Sequence, residues 1–212
     1  MPSRRARRAG PGEPQLAFDD LLGDAERDNA DREWEKATGH LPATMEIAIP
    51  FFHALLERHH AAMLAADVEG VRRLREEAAQ LALKLNGRRP GYLADDTSPG
   101  CVLRRETESS PGAVPLWGQK GSFILEFEAF RVRIETPGIF GGLHFDRFWL
   151  GFDAHAVDRD RPFLSESGFR SFLSVGAEVW PNITVDLFCR GIIDAHVRDV
   201  LKGKLVAIVD RL

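Results

Sequence analysis

Apolar residues recur at intervals of three and four from Phe52 to Leu85, then at every second position from Phe123 to Ile134. The first spacing predicts helices and the second predicts strands. Phe52, Leu55, Leu56, His59 and Met63 make one helical stripe, with Pro50 suited to the first turn. Asp67 stands where a second helix would be capped, and Val71, Leu74, Ala78, Leu81 and Leu85 continue the stripe to a stop at Asn86-Gly87. Residues 41–87 therefore read as a helical hairpin. Farther on, Phe123, Leu125 and Phe127 alternate with Ile124 and Glu126, and Phe130, Val132 and Ile134 alternate with Arg131, Arg133 and Glu135. A two-residue turn at Glu128-Ala129 sets Phe127 against Phe130, Leu125 against Val132, Phe123 against Ile134 and Glu126 against Arg131. All apolar pairs then share one face, as a half-buried antiparallel pair requires.

Between these patterns, residues 88–121 are punctuated by Pro90, Pro99, Pro111 and Pro115 and read as an irregular linker. A second pair of strands is expected around Leu150-Gly151, with Leu143, Phe145 and Trp149 before the turn and Phe152, Ala154 and Ala156 after it. Thr184 can cap a helix striped by Val185, Phe188, Ile192, His196 and Val200, and the run Leu205–Val209 predicts a buried last strand. The plan is α+β: an N-terminal tail, a helical hairpin, and a small antiparallel sheet over 122–212 with a C-terminal helix and final strand.

Composition changes this picture mainly at the N-terminus. The chain has 212 residues, 44% hydrophobic, with a net charge of −4, which excludes a collagen-like or disulfide-scaffold protein. Arg4, Arg5, Arg7 and Arg8 precede nine acids and three bases in residues 11–40, and Phe18, Leu21 and Leu22 are the one apolar knot there. Residues 1–40 thus read as a disordered charged tail holding at most one short helical turn. Its arginines could touch phosphate, and Phe18, Leu21 and Leu22 could dock on a partner. With its overall acidity, the chain offers nucleic acid no other surface. No apolar stretch follows the N-terminal arginines, Cys101 and Cys189 match no metal or redox spacing, and no run crosses a bilayer; the expectation is a cytoplasmic protein with reduced thiols.

The strongest candidate chemistry is His144-Phe-Asp146 with Asp153-Ala-His155. If Leu150-Gly151 is a turn, Asp146 faces His155 and all four polar side chains leave one face. Two imidazoles and a carboxylate can hold Zn or Fe. An exposed sheet face is polar for ordinary reasons too, and the expectation is no cofactor. His144-x-Asp146 with His196 also resembles the cupin-like iron dioxygenases, but over three residues, in a chain with too few strands for that family's barrel. On the first helix, His53, Glu57 and His60 share a face, yet the second Glu-x-x-His of a di-iron bundle is absent. No phosphate loop, nucleophile elbow or His-Glu-x-x-His occurs. These features favour a non-enzymatic bacterial protein that binds another protein, such as an inhibitor, adaptor or accessory factor of a mobile element. The alternative is a small metal-dependent enzyme using the His/Asp face.

Overall fold

A computed structural model describes residues 13–140, 150–175 and 181–209, with side chains over 24–140, 150–173 and 181–209. The chain divides into two units, Met1–Leu41 and Pro42–Leu212. The first contains helix α1, Glu13–Thr38, much longer than the single turn expected around Phe18. Its one proline, Pro14, stands in the first turn, where the missing N–H costs nothing, and Ala, Leu, Glu and Arg favour helix through the rest. The side chains of residues 24–33 are all exposed, so this stretch of α1 is solvated and charged.

The second unit opens with α2, Met45–Leu64, and α3, Val68–Leu85. Phe52, Leu55, Leu56, His59 and Met63 are buried, as are Val71, Leu74, Ala78 and Leu81, so the stripes lie where their spacing puts them. Asp67 Oδ1 accepts from the Gly70 N–H at 2.9 Å and caps α3 as expected. Pro50 is inside α2 rather than at its start. Its missing N–H leaves the Glu46 carbonyl without a helical donor, and the exposure of both residues lets water satisfy that group. The segment 88–121 is not wholly irregular: Pro99–Glu106 forms α4, started by Pro99 and burying Cys101 and Leu103.

Four antiparallel strands follow in sequence order: β1 Lys120–Glu126, β2 Arg131–Pro137, β3 Leu150–Ala156 and β4 Phe169–Val175. The β1–β2 register is the expected one, with Phe123 opposite Ile134, Leu125 opposite Val132 and Glu126 opposite Arg131. Phe127 N–H donates to the Phe130 carbonyl at 2.9 Å, and the two rings stack with centroids 4.7 Å apart. Neither Glu128 nor Ala129 takes a positive φ, so the turn forms without the glycine that tight hairpins favour.

The expected turn at Leu150-Gly151 is absent, because both residues belong to β3. β3 pairs through Arg133–His155 and Glu135–Asp153 with β2, and through His155–Phe169 and Asp153–Ser171 with β4. Both of its edges at Asp153 and His155 are thus occupied, and the pairing of Asp146 with His155 is corrected. β4 itself has no counterpart in the sequence reading.

Helix α5, Val185–Ala195, runs on into one π-helical turn, His196–Val200. Thr184 stands at the N-cap position, but its hydroxyl donates to Asp186 Oδ1 instead of capping. The buried face is Val185, Phe188, Cys189, Ile193 and His196, while Val200, expected on it, is 63% exposed. The π turn adds a residue per turn, which carries Val200 off the stripe. At the C-terminus, Phe163 and Val206 exchange two backbone bonds of 2.7 and 2.8 Å, and Val209 donates to the Glu166 carbonyl. This bridge is narrower than the strand expected over Leu205–Val209, and Val209 is exposed.

One apolar core joins these elements. Phe123, Leu125, Val132, Ile134, Phe152 and Ala154 project from the sheet onto Met63 and Val71 of the helical hairpin and onto Val185, Phe188 and Ile193 of α5. The helices therefore cover one face of the sheet. Among the described residues, no helix is long and apolar enough to cross a membrane.

Candidate functional site

The strand period sends alternate side chains to the opposite, outer face of the sheet. Cross-strand register arranges them in rows. Ile124, Arg133, His155 and Phe169 form one row, and Ser122, Glu135, Asp153 and Ser171 form the next. Glu135 sits between two basic groups: Arg133 Nε lies 3.1 Å from its Oε1, and His155 Nε2 lies 3.6 Å from its Oε2, an ion pair when the imidazole is protonated. The His155 ring also lies 5.0 Å from the Phe169 ring. Nearby, Arg131 donates to both carboxylate oxygens of Asp158, at 3.0 and 2.6 Å, and that hydrogen bonding holds the Asp158 carboxyl below its ordinary range. Ile124 is 51%, Phe169 43% and Leu173 75% exposed, so apolar groups border the charged centre.

Of the four residues named for a metal, Asp153 and His155 are two apart on β3 and share this face, while His144 and Asp146 lie outside the described residues. Among the described residues, no three His, Cys, Asp or Glu side chains gather as a metal would need. His53 and Glu57 form an exposed pair at 3.6 Å on α2, and His60 turns elsewhere. Arg4, Arg5, Arg7 and Arg8 lie outside the described residues; Phe18, Leu21 and Leu22 occupy helical positions i, i+3 and i+4 of α1.

The structure also shows a joint that the sequence does not announce. His59 Nδ1 lies 2.8 Å from the Trp117 carbonyl, and the Trp117 N–H donates to His60 Nδ1 at 3.1 Å. Two successive histidines of α2 thus hold both polar backbone groups of Trp117, three residues ahead of β1. The Trp117 indole donates to the Ile183 carbonyl at 2.7 Å and meets Phe188 edge-on, tying in α5. Burial lowers the His59 imidazole to about 4, and burial lowers His60 as well. Both are neutral at pH 7, with the proton on Nδ1 of His59, where it is donated, and on Nε2 of His60, which accepts through Nδ1. Among the described residues, His59 Nε2 is buried without a partner. Burial pushes the Cys189 thiol far above its ordinary range, and both cysteines are free and buried. The joint is a structural device. Its signal in the sequence was a histidine placed within an apolar stripe; its partner, 58 residues away, had none.

The chain is similar to two Escherichia coli proteins, each named Protein KlcB. One is 34% identical over 165 residues, covering 77% of this chain and 32% of the relative. The other is 32% identical over 167 residues, covering 78% of this chain and 40% of the relative. The chain therefore spans about a third to two fifths of the length of these curated relatives. No family model and no solved structure matches it.

Proposed function

We propose that this chain is a non-enzymatic, cytoplasmic accessory protein, of the kind carried by mobile elements, that acts by binding another protein. The observation that carries the reading is α1. It belongs to the first of the two units, Met1–Leu41, and its first half places Phe18, Leu21, Leu22 and Ala25 at i, i+3, i+4 and i+7. That is the spacing by which an amphipathic helix enters an apolar groove. Residues 13–26 also carry Glu13, Asp19, Asp20, Asp24 and Glu26 and no cation, which suits a groove with a basic rim. Nucleic acid is served only by Arg4, Arg5, Arg7 and Arg8.

The alternative, a metal-dependent enzyme using three or more protein ligands, rests on Asp153 and His155, which share one face of β3, together with His144 and Asp146 outside the described residues. The test is affinity capture from the native host with the full chain and with a Leu21→Asp/Leu22→Asp variant, after nuclease treatment. A protein recovered by the wild type and lost in an equally stable variant is expected. Equal recovery by both, or recovery that ends with nuclease, refutes the reading.

A further inference from the structure

We propose that the outer face of the sheet is a self-association surface, which packs on the same face of a second copy of this chain about a two-fold axis. The argument starts from the two rows. Arg133 and His155 occupy the centre of the first, and Glu135 and Asp153 occupy the centre of the second, directly beside them. The corners of the first row are Ile124 and Phe169, and those of the second are Ser122 and Ser171. Charge sign therefore alternates from row to row, while each row reads much the same from either end.

Such a pattern repels a copy laid on it row over like row and attracts one displaced by a single row. A two-fold axis lying between the two rows and parallel to them makes that displacement. It carries Arg133 of each copy over Glu135 of the other, and His155 over Asp153. It also lays Ile124 and Phe169 over Ser122 and Ser171. Because the contact is isologous, each pairing occurs twice. Sheets stack about 10 Å apart, a gap that facing arginine and glutamate side chains can span. Stacked sheets cross at about 30°, so register is best kept on central β2 and β3, where Arg133, Glu135, Asp153 and His155 stand.

Other occupants fit the face less well. Arg133 against Glu135 and Asp153 gives no excess of cations for nucleic acid, and paired carboxylates at its centre suit no anionic lipid surface. Arg133 and Glu135 already pair within one copy, but their side chains are 51% and 45% exposed, and an exposed pair of that kind contributes little alone. A second copy adds an opposite charge to each and covers Ile124 and Phe169.

The test is sedimentation of the full chain over a wide concentration range, with Arg133→Glu and Glu135→Arg made singly and then mixed. The wild type should dimerise reversibly, and more weakly at high salt. Each single variant should weaken dimerisation at least about tenfold, which is about 1.4 kcal/mol. An equimolar mixture of the two variants should associate about as well as the wild type, because each then offers the charge the other needs across the axis. Unchanged melting temperatures would show that the exposed substitutions leave the fold intact. A wild type that stays monomeric, single variants that dimerise normally, or a mixture that fails to associate would each overturn the proposal, including the case where a different protein covers this face.

Discussion

Replacing Gly118 by alanine tests the joint at Trp117 more directly than any change to the histidines. Gly118 has φ +86°, and a Cβ there would lie 2.8 Å from His59 Nδ1 and 3.0 Å from Cε1. Two costs add. A non-glycine residue in the left-handed region costs roughly 1–2 kcal/mol. Moving the buried His59 ring aside also breaks its bond to the Trp117 carbonyl and leaves both groups dry, which costs about 1–3 kcal/mol. Gly118→Ala should therefore destabilise by about 2–5 kcal/mol. Gly87→Ala is the control: φ is +64°, nothing lies within 4 Å of its Cβ, and only the roughly 1–2 kcal/mol backbone cost applies. Urea denaturation followed by circular dichroism gives both values. In a His59→Ala background the ring is gone, and the cost of Gly118→Ala should fall to that of Gly87→Ala. Equal destabilisation by the two alanines in the wild-type background would refute the steric account.

Acid should weaken the fold through His59. A free imidazole titrates near 6.5 and His59 near 4, so the unfolded chain takes up the proton first; stability falls as pH drops from about 6.5 to about 4 and this contribution levels off below, a change of about 3 kcal/mol. His59→Gln should flatten the dependence of the urea midpoint on pH, and an unaltered slope would contradict the assignment. Leu125→Ala, at a site 6% exposed opposite Val132, should cost about 2–5 kcal/mol, whereas Ile124→Ala, 51% exposed, should stay within about 0.5 kcal/mol; similar values for both would mean the faces are reversed. Deleting residues 1–33 should move Tm by no more than the ~2–4 °C that 1 kcal/mol shifts a domain of this size, as scanning calorimetry can check. Dialysis against a chelator should leave Tm unchanged, and one bound transition metal per chain, lost in His155→Ala, would favour the metal-enzyme reading instead.

The sequence disclosed what local spacing governs. The α2–α3 stripes, the Asp67 cap and the β1–β2 register follow from periods of 3.6 and 2, with Glu126 and Arg131 marking the wet side. Strand β4 was hidden because Phe169 and Leu173 are exposed on the outer face, and because the β3–β4 register shifts between Leu150 and Phe152. Gly151 invited a turn, but it lies within β3, 3.0 Å from the Phe172 carbonyl if given a Cβ, so glycine there reflects close approach of a neighbouring strand. Helix α4 spans eight residues and opens with Pro-Gly, too short for a period to emerge. Of the candidate metal face, only the shared side of Asp153 and His155 was legible; the true neighbours, Glu135 and Ser171 beside Asp153 and Arg133 and Phe169 beside His155, lie on strands 14 to 22 residues away.

Trp117 also bears on the order in which the protein assembles. The β1–β2 pair is joined by four residues, 127–130, so its contacts close a short loop and can form early. The Trp117 joint, by contrast, links residues 57, 58 and 66 positions apart, to His60, His59 and Ile183. Loop closure of that length is a late gain in a folding reaction. If the joint forms after the transition state, weakening it by Trp117→Phe, which removes the indole donor, should speed unfolding while leaving the refolding rate nearly unchanged. The two histidines and the indole would then set how long the native state lasts far more than how quickly it is reached.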